Sequence, residues 1–316
     1  MSSNLVRMLS TGRNGTKFMA SVFADQGYRA FHEDLYVGEP FVAVKHYLNW
    51  LGDLWIEDRA DYYAHESRFA RPYRGAVLEA LKGSRAGKSE HGVLTQFFKP
   101  DGGPATQSGV VVHSAHALTT ATPLIQRDLA AADIDVRNLV LLRNPLRTIH
   151  AIYTIESPVG KWRRPYGIRP ALFSTRADFL GAAQIWANTY RLIHDVMEHL
   201  GSQYFRTVRL EQFSADAAYA EQVFAFLDLD FDPDRFLAFT DRVLNEPLRA
   251  AKTASVRNSD LYAQPEFAFD ARQIEAIGKE VADVNQLFGI DWPRMVEEYV
   301  QFHAKEKERL GFRGAE

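Results

Sequence analysis

The residues most able to do chemistry sit at the start of the chain. Leu5-Val6-Arg7-Met8-Leu9 is a short apolar run, and Ser10-Thr11-Gly12-Arg13-Asn14-Gly15-Thr16-Lys17 follows it. Phe18, Met19, Val22 and Phe23 then recur at helical spacing, so the stretch predicts a strand, a tight turn and a helix. Such a turn directs backbone N–H groups at one spot, where the helix dipole also favours negative charge. Gly12 and Gly15 let the backbone approach a ligand closely, and Arg13, Thr16 and Lys17 add side-chain donors. Arg13, Asn14, Gly15, Thr16, Lys17 and Phe18 therefore form a candidate site for a phosphate- or sulfate-type anion. The same residues can also make a plain strand-to-helix connection.

The spacing argues against a Mg-ATP loop. That loop reads Gly-x-x-x-x-Gly-Lys-Ser/Thr. Here Gly12 and Gly15 are three apart, and the order is Gly15-Thr16-Lys17.

A second cationic turn follows the apolar run Asn138-Leu139-Val140-Leu141-Leu142. It reads Arg143-Asn144-Pro145-Leu146-Arg147 and leads into a helix through Tyr153. The planar fork of Arg143 can bind two oxygens of a phosphate at once. Gly27 to Asp34 predicts a second strand, and the carboxyl ends of parallel strands face the ligand crevice. That places Glu33 near the first turn as a candidate general base, beside His32. The β-branched run Gly109 to Val112 predicts a buried strand ending at His113, with His116 three residues on. Both histidines are candidate bases, and both can equally be structural. No third residue completes a metal-ligand pattern around them.

Taken together, these turns resemble those of the PAPS-dependent sulfotransferases. Gly12-Arg13-Asn14-Gly15-Thr16 is similar to that family's 5′-phosphosulfate loop, Pro-Arg/Lys-Ser-Gly-Thr, with Gly for Pro and Asn for Ser. Arg143-Asn144-Pro145 resembles its 3′-phosphate turn. The family places a serine eight residues after that Arg, and Ala151 stands there in this chain, with Arg147, His150 or Thr154 as possible substitutes. The family's Lys-Thr-His strand end corresponds to His113, preceded here by Val112. Its Arg-Tyr-Glu-Asp-Leu corresponds to Arg209-Leu210-Glu211-Gln212-Phe213. A late basic loop that closes over the 3′-phosphate corresponds to Lys252, Arg257 and Asn258.

The resemblance implies a three-layer α/β/α fold with a central parallel sheet, like P-loop NTPases. It implies PAPS as donor, no metal, and a hydroxyl or amine of a small molecule or glycan as acceptor. Arg13 would stabilise charge on the leaving phosphate, and Glu33, His113 or His116 would take the acceptor proton. Two alternatives stay open. One is an ATP-dependent small-molecule kinase of related fold, and the other a non-catalytic PAP-binding module.

The elements that must position these residues are legible in outline. The 316 residues are expected to form one domain, with a helical insertion over about 41–82, rich in Tyr and Trp, and a basic lid over about 157–176. The apolar stripe Phe179, Trp186, Tyr190, Ile193, Met197 and Leu200 predicts a long helix over 174–200. A last strand is expected over 204–210, a helix over 215–227, then helices over 270–288 and from Trp292 onward. A net charge of -3 gives no reason to expect nucleic acid, and the absence of Cys excludes disulfides and thiolate chemistry. No apolar run reaches membrane-span length and no signal-peptide pattern opens the chain, so a cytoplasmic protein is expected.

Overall fold

Strand β1 (Ser3–Leu9) leads through the candidate turn into α1 (Thr16–Asp25) and β2 (Arg29–His32). Residues 51–57 are helical, followed by α2 (Arg59–Ala64) and α3 (Glu66–Leu81). Next come β3 (Val110–Ser114), a 3-10 turn (His116–Ala121), α4 (Thr122–Ala130) and β4 (Ile134–Leu142). Helices α5 (Pro145–Glu156) and α6 (Phe179–Leu200) precede β5 (Phe205–Arg209). The chain continues through α7 (Leu210–Ala215), α8 (Ala217–Phe226) and α9 (Pro233–Asn245). It closes with α10 (Ala271–Glu280), α11 (Ala282–Leu287) and α12 (Trp292–Arg309). This computed structural model describes residues 3–11, 13–32, 51–64, 66–83, 109–114, 116–156, 178–245 and 268–309.

The chain divides into two compact units, Met1–Leu142 with Asp195–Arg249, and Arg143–His194 with Ala250–Glu316. The first holds a five-stranded sheet in the order β2-β3-β1-β4-β5. All four strand pairings are parallel, with Val6 beside Val112, Met8 beside Leu139 and Leu141 beside Val208. Both faces of the sheet are covered, which is why its strands read as near-continuous apolar runs. Val6, Met8, Val112, Leu139, Leu141 and Val208 enter a core with Met19, Val22 and Phe23 of α1, Val223 and Phe224 of α8, and Phe236 and Phe239 of α9. Phe23 and Phe224 stack at 4.7 Å between ring centroids. Each such buried ring contributes roughly 1.5–3 kcal/mol. Alternate residues Arg7, His113 and Asn138 point to the other face. There His113 meets Tyr73 of α3, and Asn138 Nδ2 donates to Gln126 Oε1 of α4 at 3.1 Å. Helices on both sides of one parallel sheet make the three-layer α/β/α fold that the sequence implied.

The second unit contains α5, most of α6, and α10 to α12. Arg191 of α6 forks onto Asp283 of α11 at 2.6 and 2.8 Å. Phe269 packs against Tyr299 of α12, with centroids 5.9 Å apart.

Several boundaries differ from the sequence reading. The expected helix over 215–227 starts two residues later, as α8, and the separate short helix α7 precedes it. Asp216 between them is extended (φ -132, ψ 103), and its side chain caps α8 by accepting from the Ala218 and Tyr219 amides. The expected helix over 270–288 breaks at Val281, which caps the start of α11 with φ -105 and ψ 8. Strand β4 starts at Ile134, four residues before the apolar run, because Asp135 and Arg137 alternate with Ile134 and Val136. Helix α9 was not anticipated. Asp232 begins it, its Oδ1 accepting from the Arg235 amide at 3.0 Å.

Candidate functional site

The turn after β1 has an alternating backbone. Arg13 (φ 61) and Gly15 (φ 74) are left-handed, and Asn14 between them is not. Alternation of hand turns successive N–H groups to one side and forms an anion-binding concavity. Gly15 is also the N-cap of α1 and supplies no side-chain cap, and α1 carries no acidic residue in its first turn. Neither the cap residue nor the first turn of α1 thus supplies a negative group to the positive end of the helix.

Neighbours on both sides hold the turn. Asn14 is fully buried, and its Nδ2 donates to Thr11 Oγ1 at 2.8 Å. From the β3 side, Ser114 Oγ donates to the Thr16 carbonyl at 3.0 Å and Thr119 Oγ1 to the Ser10 carbonyl at 3.5 Å. From the β5 side, Leu210 lies against Gly15 so closely that a Cβ at position 15 would be 2.3 Å from Leu210 Cδ2. Thr16 is buried, while Arg13, Lys17 and Phe18 are half-buried, and Phe18 packs near Phe239 at 6.2 Å. Arg13, Asn14, Gly15, Thr16, Lys17 and Phe18 therefore share one turn at the carboxyl edge of the sheet.

His113 is placed differently from a solvent-facing base. It is 2 % exposed, in register with Arg7 on the neighbouring strand. Its Nδ1 lies 2.8 Å from the Tyr73 hydroxyl, and the two rings stack at 5.6 Å and 29°. Arg7 is itself buried. Its Nη2 donates to the Leu118 carbonyl at 3.1 Å and its Nη1 to Asn138 Oδ1 at 3.5 Å, and it also interacts with the Tyr73 hydroxyl. Burial lowers the Arg7 pKa, and burial pushes the Tyr73 hydroxyl up to about 12 against the opposing pull of Arg7. Tyr62 OH donates to the Thr120 carbonyl at 2.8 Å. Arg7, Tyr62 and Thr119 thus fix the 3-10 turn that His116 opens. The His116 side chain lies outside what the structure describes, as do Gly12, Glu33, Lys252, Arg257, Asn258 and residues 157–177.

Arg143 directly follows Leu142, the last residue of β4. Within the second unit its neighbour Asn144 is buried and makes two contacts. Asn144 Oδ1 accepts from the Arg147 amide at 3.3 Å, capping α5, and Nδ2 donates to the Met295 carbonyl of α12 at 2.8 Å. Ala151 is buried in α5 and offers no hydroxyl. Of the residues considered in place of a serine there, the Arg147 guanidinium lies 4.0 Å over the Phe302 ring. His150 is buried with its Nδ1 3.1 Å from the Tyr299 hydroxyl and 3.2 Å from His303 Nε2. Burial, then the neighbouring His303, holds His150 down at a pKa of about 3. The Thr154 side chain lies outside the described residues.

Of the aromatic residues in the helical insertion, Trp55, Tyr62 and Tyr73 are core. Trp55 Nε1 donates to Asp195 Oδ2 at 2.7 Å, and Arg59 Nη2 meets the same oxygen at 2.6 Å. Tyr47 and Trp50 lie outside the described residues. A cavity of about 390 Å³, lined by Tyr63, Gln126, Arg127, Asp135, Leu200 and Tyr204 among others, opens near the amino end of β4, away from the turn. Among the described residues, no cluster of three or more His, Asp or Glu could hold a metal, and no helix is long and apolar enough to cross a membrane.

Sequence reasoning missed the parts played by Arg7, Tyr73 and Leu210. For Arg7 a signal existed, a cation at the alternate position between Leu5 and Leu9 in a strand buried on both faces. Tyr73 meets His113 from 40 residues away in sequence, and no local pattern shows that.

Among the solved structures similar to the chain are two sulfotransferase domains. The sulfotransferase domain from the Synechococcus PCC 7002 olefin synthase is 15% identical, with 84% of this chain and 95% of that chain covered at a TM-score of 0.38. The sulfotransferase domain from the curacin biosynthetic pathway is 13% identical, with 88% and 97% covered at a TM-score of 0.42. No family model and no curated protein matches the chain. The fold described above stands on its own strand order and register.

Proposed function

We propose that the chain is a sulfotransferase that moves a sulfuryl group from PAPS to a hydroxyl or amine of a small-molecule or glycan acceptor. The observation that most supports this is the Thr11–Lys17 turn. Its alternating backbone stands at the positive end of α1, on the carboxyl edge of a parallel sheet. In this reading the turn's amides, Thr16 and Lys17 hold the 5′-phosphosulfate. Arg13 meets the charge that develops on the leaving phosphate oxygen. Arg143 takes the 3′-phosphate, with Lys252, Arg257 and Asn258 as further contacts carried over from the resemblance.

The reaction breaks the bond between sulfur and the phosphate oxygen and forms one between sulfur and the acceptor oxygen or nitrogen. The acceptor's proton passes to a base. Glu33, His113 and His116 are the candidates, and the burial of His113 against Tyr73 favours the other two.

A second reading, a PAP-binding module without turnover, draws on Ala151, the buried residue where the resemblance expects a phosphate-binding serine. Calorimetry with PAP and with Mg-ATP, followed by incubation with radiolabelled PAPS and a metabolite extract, separates the readings. PAP binding with label transfer is expected. Binding of Mg-ATP alone would replace the proposal with a kinase, and PAP binding with no labelled product would replace it with the module.

A further inference from the structure

We infer that Ser114 and Ser21 are positioning residues of the turn after β1. Each donates its hydroxyl hydrogen to a carbonyl at the start of α1, and so aims and strengthens the amide of the same peptide toward a sulfate- or phosphate-type anion. The amide is Lys17 N–H for Ser114 and Phe18 N–H for Ser21. That the anion is the 5′-phosphosulfate of PAPS rests on the sulfotransferase reading. The hydrogen bonds do not.

Both serines are fully buried, and they reach successive peptides from different elements. Ser114 ends β3, in register with Met8 of β1 and His32 of β2, and its Oγ donates to the Thr16 carbonyl at 3.0 Å. Ser21 lies on α1 itself, and its Oγ donates to the Lys17 carbonyl at 2.9 Å. The first bond of α1 runs from the Met19 amide to the Gly15 carbonyl at 3.0 Å, so the Thr16, Lys17 and Phe18 amides point beyond the amino end of the helix. A trans peptide is planar and holds its C=O and N–H on opposite sides. A hydroxyl that fixes the Thr16 carbonyl therefore fixes the direction of Lys17 N–H. One that fixes the Lys17 carbonyl does the same for Phe18 N–H.

Neither carbonyl needs the extra donor. In a regular helix the Thr16 and Lys17 carbonyls accept from the amides four residues on, those of Ala20 and Ser21. Each oxygen has a second lone pair, and filling it polarises the peptide and makes its N–H a stronger donor. Stability does not call for these serines either. A serine hydroxyl bonded back to the carbonyl four residues earlier slightly destabilises its helix, and Ala is the better helix former at position 21. Ala would also fill the end of β3 with no hydroxyl to bury. The group that gains from both bonds is an anion at the end of α1. There the stronger amides meet the negative charge that grows on the leaving phosphate oxygen as its bond to sulfur breaks.

The test uses the full chain, labelled with 15N. Ser114→Ala should move the Lys17 amide proton upfield, and Ser21→Ala the Phe18 amide proton. Amides that stay in place in both variants overturn the inference. Calorimetry should show PAP binding weakened roughly three- to tenfold in each variant, the scale of one hydrogen bond. The urea midpoint of Ser21→Ala should hold or rise while its affinity falls, a pairing that a purely structural serine does not give. With PAPS and a turned-over acceptor, the KM for PAPS should rise and the KM for the acceptor should stay. Undiminished PAP affinity in both variants, or a loss that only follows a loss of stability, overturns the positioning role. If Ser114→Ala fails to fold, Ser114→Thr and Ser114→Val share a shape and differ in the hydroxyl. The Thr variant should then bind PAP more tightly, and equal affinities overturn the part given to Ser114. In a chain that binds no PAP, inorganic phosphate that shifts the Lys17 and Phe18 amides, less strongly in the Ala variants, would overturn the transferase reading and leave the positioning role standing. Amides unmoved by PAP and by phosphate alike would overturn both.

Discussion

Leu210 occupies the space that any side chain at Gly15 would need. A Cβ at position 15 would sit 2.3 Å from Leu210 Cδ2, on a backbone with φ 74 that L-residues rarely adopt. Two penalties therefore meet in Gly15→Ala, left-handed strain of roughly 1 kcal/mol and the displacement of Leu210. The substitution should lower the urea midpoint of unfolding and weaken PAP binding at least tenfold by calorimetry. Adding Leu210→Ala should relieve the steric part and leave the backbone part. A double variant no better than the single one would show that Leu210 does not set the turn.

Arg13 is half-buried in the same turn and left-handed, which presents its side chain from a strained backbone. A cation in a surface turn contributes little to stability. Removing one group that stabilises developing charge costs about 100- to 1000-fold in turnover. Arg13→Ala should therefore keep its unfolding free energy within a few tenths of a kcal/mol and lose turnover of PAPS about 100- to 1000-fold. Unchanged turnover would remove Arg13 from the proposed chemistry.

How far the sequence reaches can be judged from particular residues. The run Leu5–Leu9 and the residues Arg13–Lys17 declared a strand, a turn and a helix, because apolar periodicity and glycine placement are local signals. The β-branched run Val110–Val112 declared a buried strand for the same reason. What stayed hidden depends on tertiary contact. His113 looked like a strand-end base, yet Tyr73 from α3 and Arg7 from β1 enclose it. Leu210 packs on Gly15 from a distant part of the chain, and no local pattern shows that contact. Helix α9 is legible in the sequence, with an Asp232-Pro233 start signal and Phe236, Phe239 and Val243 at helical spacing.

Asn144 joins two elements of the second unit, as the cap of α5 and as a donor to the Met295 carbonyl of α12. Asn144→Ala removes both bonds and leaves a half-buried carbonyl without this partner. A cost of about 1–3 kcal/mol is expected from the lost cap and the lost donor. Asn144→Asp keeps an acceptor for the Arg147 amide but turns an oxygen toward the Met295 carbonyl, so it should not recover the full loss. Denaturant titration of the three chains at one pH checks the order. An unfolding midpoint unmoved by Asn144→Ala would show that neither bond matters to stability.

His150 should make stability depend on pH in one direction. Burial, then His303, lowers its pKa from 6.5 to about 3. Between those values the unfolded chain binds a proton that the folded chain refuses, so stability rises with pH across the window. The contribution is complete above about pH 6.5 and is lost as pH falls toward 3, with a slope of up to about 1.4 kcal/mol per pH unit. His150→Gln keeps a polar side chain beside Tyr299 and cannot be protonated in this range. Its unfolding free energy, followed by urea titration at steps from pH 7 down to 4, should fall less steeply than that of the unsubstituted chain. Parallel slopes would mean that the buried His150–Tyr299–His303 cluster takes up its proton without unfolding, and that another group governs acid sensitivity.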